Sequence, residues 1–206
     1  MKKNIRERLD VVFILDNSGS MSGSEENTIT SYNEYLERER NKKYDVKITT
    51  VLFNDHYKFL HKRNSINSVD YLTCEDYYVG GCTALYDALG TTINYIDSCN
   101  TDKVLFIIIT DGYENASREY NKSRIRRLIN KHRDWEFIYI GADIDSYATG
   151  GDIGIKRDNI ANYKKDKRGT HILFNAVASF EEGMMGEACC ERNWKEELDE
   201  YIESNK

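Results

Sequence analysis

Val11-Val12-Phe13-Ile14-Leu15-Asp16-Asn17-Ser18-Gly19-Ser20 joins five consecutive apolar residues to a carboxylate and two hydroxyls. The apolar part is short, β-branched and aromatic, which is how a strand buried on both faces of a parallel sheet reads. Asp16, Ser18 and Ser20 follow where that strand ends, and open α/β sheets keep their ligand sites at this edge. The segment therefore predicts both a sheet-centre strand and, in outline, a hard-cation site.

Three further segments share the buried-strand character: Ile48 to Phe53, Val104 to Ile109 and Phe137 to Ile140. Helical spacing lies between them, at Ile29, Tyr32 and Leu36, at Leu85, Ala88, Leu89, Thr92, Ile93 and Ile96, and at Ile125, Leu128 and Ile129. Strand and helix alternate, so the expected class is α/β with a mostly parallel sheet. Asn54-Asp55 separates Ile48 to Phe53 from an extended piece around Tyr57 to Leu60, predicting a hairpin with a left-handed turn and one antiparallel edge strand. Ser24-Glu25-Glu26 marks the start of the first helix, with Ser24 as its cap. A last strand is expected near Asn159 to Tyr163, then a helix around Ile172 to Phe180 and a terminal helix from Trp194 to Ile202.

Two other loops reach the same edge if the sheet is parallel. Asp111-Gly112 follows Val104 to Thr110, and Gly80-Gly81-Cys82-Thr83 opens the helix beginning Ala84-Leu85. Taken singly, Ser18 and Ser20 would satisfy loop amides, Thr83 would cap a helix, and Asp111-Gly112 would make a turn. Taken together, Asp16, Ser18, Ser20, Thr83 and Asp111 are a set of oxygen ligands suited to Mg2+, Mn2+ or Ca2+, and the lack of His and Cys argues against Zn2+. So many neutral ligands leave the ion much of its charge. An exchangeable position can then take a carboxylate from a partner.

These five residues resemble the von Willebrand factor type A domain and its metal-ion-dependent adhesion site. Asp16, Ser18 and Ser20 stand as the DxSxS motif, Thr83 as the isolated threonine, and Asp111 as the second aspartate in Thr110-Asp111-Gly112. Similarity continues through Tyr78 to Leu85, Asp111 to Tyr120 and Trp135 to Ala148, where the chain is similar to compact intracellular type A proteins of bacteria and phages. It covers residues 8–182, which leaves 183–206 as a helical C-terminal tail. The resemblance implies a Rossmann-like, doubly wound, mostly parallel sheet with one antiparallel edge strand and helices on both faces. It also implies that the serines ligate the metal directly, and the threonine and aspartates directly or through water. An Asp or Glu of a protein partner completes the shell, so the expected function is a non-enzymatic, metal-dependent adaptor.

Composition narrows the alternatives. The net charge of -6 gives no general footprint for nucleic acid. The basic residues Lys122, Arg124, Arg126, Arg127, Lys131 and Arg133 flank apolar positions as a solvated helix face does. No apolar run is long enough to span a membrane, and no secretory signal precedes the first strand. Cys74, Cys82, Cys99, Cys189 and Cys190 are an odd set without CxxC spacing, which fits a reducing cytoplasm. The competing reading is a metal-dependent phosphotransferase or hydrolase using the strand-end aspartates. It is disfavoured because Ser18 stands where a second aspartate would be needed, and because GxSxG, a P-loop and GxGxxG are absent.

Six other features carry bland expectations. Asp143 and Asp145 should lie at the same edge, with Asp145 or Ser146 capping a helix, while Asp87 and Asp97 should face solvent or cap an end. The four histidines show no ligand spacing, Cys82 reads as a small buried thiol, and vicinal Cys189-Cys190 reads as ordinary packing or exposure. Tyr77, Tyr78 and Tyr113 would either anchor an interface or cover the sheet edges.

Overall fold

The computed structural model describes residues 8–99, 101, 103–186 and 193–205. Along them run β1 (Arg8–Asp16), α1 (Glu25–Arg40), β2 (Asp45–Phe53), β3 (Tyr57–Ser65), α2 (Leu85–Asp97), β4 (Lys103–Thr110), α3 (Lys122–Lys131), β5 (Glu136–Gly141), α4 (Ser146–Asp152), β6 (Ile160–Asn162), α5 (Lys167–Met185) and α6 (Glu196–Glu203). One sheet takes the order β3-β2-β1-β4-β5-β6. Every pairing is parallel except β2 with β3, which is the expected antiparallel edge.

Alternation along β1 builds a core on each face, because successive strand residues point to opposite sides. Leu9, Val11, Phe13 and Leu15 pack with Tyr32, Tyr35 and Leu36 of α1 and Leu173, Phe174 and Val177 of α5. Phe13 meets Tyr32 and Tyr35 edge-on, with ring centroids 5.2 and 5.1 Å apart, the offset geometry that aromatic quadrupoles favour. Val12 and Ile14 face the other way, into Leu85, Ala88, Leu89 and Ile93 of α2 and Ile125 and Ile129 of α3. Burial on both sides is why these strands carry no polar alternation.

The strand order places the site. From β1 the chain builds outward to β2 and β3, then returns across the sheet to lay β4 on the other side of β1. The direction of winding thus reverses between β1 and β4, and a crevice opens beyond their C-terminal ends. Leu15 is in register with Ile109, so Asp16 comes level with Thr110 and Asp111 follows one residue on at the neighbouring strand end.

Several local expectations change. Ser24 precedes α1, yet its hydroxyl donates to Met21 O at 2.6 Å and caps no helix amide. The β2–β3 turn needs no left-handed residue: among the described residues only Arg63 and Asp143 are non-glycines with positive φ. It closes instead through the Asn54 side chain, which accepts from His56 N at 3.1 Å, and through Asn54 N donating to His56 O at 2.8 Å. The edge strand runs on to Ser65, past a register irregularity near Thr50, where Arg63 turns inward to the buried Asp10 (2.6 and 3.1 Å). Beyond α5, Leu198 of α6 joins the first core, and Trp194 packs edge-on against Phe180 at 5.4 Å. Cys189 and Cys190 lie outside the described residues. None of the described helices is long and apolar enough to cross a membrane.

Candidate metal centre

Three loops converge at the crevice, and backbone bonds lock them together. Gly19 N donates to Gly81 O (3.1 Å) and Gly80 N donates to Asn17 O (3.0 Å), which fastens the loop after β1 to the loop before α2. Gly81 has φ +79, a conformation glycine adopts at no steric cost. The segment after β4 is fastened in turn, since Asn115 N donates to Thr83 O (3.0 Å) while Asn115 Oδ1 accepts from Thr83 N (2.9 Å).

Within this frame the five residues singled out from the sequence come together. Asp16 Oδ1 accepts from Ser18 N at 2.7 Å and its Oδ2 from Thr110 Oγ1 at 2.5 Å. The Ser18 and Ser20 hydroxyls are 3.0 Å apart, and Ser20 Oγ donates to Asp111 Oδ1. Thr83 closes the ring: a Cβ built on Gly112 would lie 2.6 Å from Thr83 Oγ1 and 3.3 Å from Ser20 Oγ. Gly112 is therefore the cradle that lets the hydroxyls approach. Asp16, Ser18, Thr83 and Asp111 are buried and Ser20 is exposed, so the cluster opens to solvent on one side.

The donor chemistry fits a hard divalent cation. Two carboxylates and three hydroxyls offer oxygen only, and their charge of two balances such an ion. Burial pushes the Asp16 carboxyl above its ordinary 3.8, against hydrogen bonds from Thr110 and Ser18, and the nearby Asp111 charge adds to the push. A cation would oppose that push and hold Asp16 as the carboxylate. Among the described residues no group of three or more His, Cys, Asp or Glu gathers as a metal cluster, so an ion here rests on the hydroxyls as much as on the carboxylates.

The von Willebrand factor type A domain family matches residues 10–168. The chain belongs to that family. Solved structures share its fold at low identity. Proximal thread matrix protein 1 from the mussel byssus superposes with a TM-score of 0.62 at 17% identity, over 84% of this chain and 46% of that one. The same mussel protein with a zinc-occupied metal-ion-dependent adhesion site gives 0.56 at 16%, over 77% and 42%. The PilB minor pilin from Streptococcus sanguinis gives 0.62 at 10%, over 86% and 62%. This type A chain thus spans less than two thirds of each of these proteins. Among curated proteins, none matches it in sequence.

Two residues that matter to this type A site were missed or misjudged in the sequence. Asp87 is not a solvent-facing or end-capping residue. It is buried, and its carboxylate accepts from the backbone N–H of Arg118 (2.7 Å), Glu119 (2.9 Å) and Tyr120 (2.8 Å), which pins the far end of the Asp111 loop to α2. The signal was the stripe Asp87, Gly90 and Asn94 at helical spacing. A Cβ on Gly90 would collide with the Tyr120 ring at 2.3 Å, and Asn94 Nδ2 donates to Tyr120 Oη at 2.8 Å. A glycine inside a helix marks such close approach. Asp87→Ala is expected to cost about 2–3 kcal/mol in denaturant unfolding, because charge-assisted hydrogen bonds to three amides are lost.

Lys165 is the other. It follows β6 at the same edge, and its Nζ donates to Asp111 Oδ2 at 2.7 Å and to Ser20 O at 3.2 Å, with Asp143 Oδ2 at 3.1 Å. Burial pulls this lysine down, but hydrogen bonds to Asp111 and Asp143 outweigh it and hold it above its ordinary value.

Elsewhere Asp145 caps α4 as expected, accepting from Ala148 N at 2.9 Å. Asp97 sits near the end of α2 and pairs with Lys131. Cys82 is exposed, not buried, because its amide is held by Asp55 on the outer side of the Gly81 turn. The three tyrosines divide. Tyr77 is buried and its hydroxyl donates to Asp16 O, supporting the site from beneath. Tyr78 and Tyr113 stand at the rim, 67% and 57% exposed.

Proposed function

We propose that this type A domain is a metal-dependent protein-binding module, in which a divalent cation held by Asp16, Ser18, Ser20, Thr83 and Asp111 captures an Asp or Glu of a protein partner. The observation that carries the reading is the meeting of three loops: Ser18, Ser20 and Asp111 form one hydrogen-bonded chain, Thr83 Oγ1 and Ser20 Oγ both lie against Gly112, and the cluster opens to solvent at Ser20. Exposed Tyr78 and Tyr113 beside the opening supply the aromatic anchors that protein interfaces favour. Mg2+ is the cation proposed, with Mn2+ and Ca2+ as substitutes. The zinc-occupied site of the mussel protein adds zinc to the ions worth titrating.

Hydrolytic or phosphotransfer use is disfavoured by the engagement of Asp16. Both its oxygens accept hydrogen bonds and the side chain is fully enclosed, so neither faces a substrate for in-line attack. A reducing, cytoplasmic setting completes the proposal, one that the free thiols Cys74, Cys82 and Cys99 suit. Affinity capture with Mg2+ is expected to retain a partner that EDTA releases and that Thr83→Ala fails to hold. Equal capture by both proteins in EDTA would overturn the mechanism.

A further inference from the structure

Resting on the cation-site reading above, we propose that Lys165 is a tethered stand-in cation: its ammonium holds the site together when the metal is absent and competes with the metal for Asp111. An ammonium has three N–H donors, and three acceptors surround this one: Asp111 Oδ2 at 2.7 Å, Ser20 O at 3.2 Å and Asp143 Oδ2 at 3.1 Å. Those acceptors come from the segments after β4, β1 and β5, while Lys165 itself follows β6. One side chain thus ties four strand ends to a common point.

The charges explain why such a tie is needed. Asp16 and Asp111 are buried like charges facing each other across the Ser18–Ser20 hydroxyl pair, an arrangement that repels without a cation. The Asp111 side chain is fully enclosed, and Lys165 reaches it with a stem that is only 25% exposed, so solvent screens the pair weakly. Asp143, on a left-handed backbone (φ +55) that aspartate adopts more readily than most non-glycine residues, is the exposed member of the three, its side chain 74% exposed. The neighbouring lysine is different: Lys164 Nζ donates to Asn205 O at 2.8 Å.

Two consequences follow. The metal-free site stays assembled, so the loops need not collapse when the ion leaves. The ion binds less tightly than the same five residues would allow, because Asp111 shares its charge with an ammonium already present.

Calorimetric titration of Mn2+ and Mg2+ into the whole chain, paired with melting curves in EDTA and in saturating metal, tests the proposal. Lys165→Met keeps the apolar stem and removes the charge. It is expected to tighten metal binding about tenfold, the low end of what one nearby charge does to an ionic equilibrium. It is also expected to melt lower than the parent in EDTA and to gain more from metal. Lys164→Met should match the parent in both measurements. Unchanged or weaker affinity in Lys165→Met would overturn the stand-in role, as would equal tightening in Lys164→Met, which would mark a general charge effect. Asp16→Asn separates the two readings. If it binds metal like the parent, the cation site itself is wrong; if it loses metal while Lys165→Met is unchanged, only the lysine's role fails.

Discussion

Asp16→Asn is expected to lower divalent-cation affinity about a hundredfold or more while melting at or above the parent's temperature in EDTA. The loss should exceed the tenfold to hundredfold typical of a supporting partner, because the residue removed is itself a charged ligand. The retained stability comes from the local hydrogen bonds. The carbonyl oxygen of the introduced amide would still accept from the Ser18 N–H, and the Thr110 hydroxyl, which now donates to Asp16, would turn to accept from the new NH2 group. Meanwhile a buried charge disappears beside Asp111, relieving the burial and repulsion that push the Asp16 carboxyl upward. Metal at about 100 times its dissociation constant stabilises a protein by about 2.7 kcal/mol. For a chain of this size that corresponds to a rise of roughly 5–10 °C. The parent should show that rise on adding Mg2+, and Asp16→Asn should not. An undiminished rise in the variant would remove Asp16 from the site. Alanine is the poorer test, since it strips acceptors from a position the structure encloses completely.

What the sequence made legible follows from where each signal resides. The central strands were readable because burial on both faces demands unbroken apolar runs, and Val11 to Leu15 or Val104 to Ile109 permit little else. Asp16, Ser18, Ser20 and Asp111 were readable because the crevice forms where β1 and β4 end, and the residues after a strand end are fixed by chain order, while Thr83 was readable from the Gly80-Gly81 turn that opens α2. Lys165 carries no such signature. A lysine in the run Lys164 to Arg168 looks like solvent-facing charge until the β6 strand, only three residues long, sets it at the edge beside Asp111. Asp87 was misread for a related reason. Its partners are backbone amides 31 to 33 residues away, and amides have no residue type for a pattern to detect. Cys82 was misjudged because exposure depends on which way the Gly81 turn throws its neighbour.

Glu39→Gln is expected to stabilise the protein increasingly as pH rises above 5, through a site far from the metal loops. Glu39 of α1 is buried, and among the described residues no hydroxyl, amide or cation bonds its oxygens; its neighbour is the Glu181 carboxyl. Buried Glu181 of α5 lies opposite and takes the available hydroxyls, from Tyr35 at 2.5 Å and Tyr44 at 2.8 Å. Burial first, and then the Glu181 charge, push the Glu39 carboxyl from 4.5 up to about 10. Lys42 and Arg38 oppose the shift but are engaged with Glu182, at 2.7 and 2.6 Å. The sign follows from proton counting. Between about 4.5 and 10 the folded chain holds a proton at Glu39 that the unfolded chain has released. The contribution of Glu39 to stability is therefore full below pH 4.5 and falls as pH rises through this window, by at most about 1.4 kcal/mol per unit. Glutamine keeps the shape of the protonated acid and has no proton to lose. Denaturant unfolding at pH 5 should find parent and variant nearly equal, and at pH 8 the variant should lead by about 2–4 kcal/mol. Parallel stability curves across that range would mean that Glu39 ionises at no cost in the folded chain.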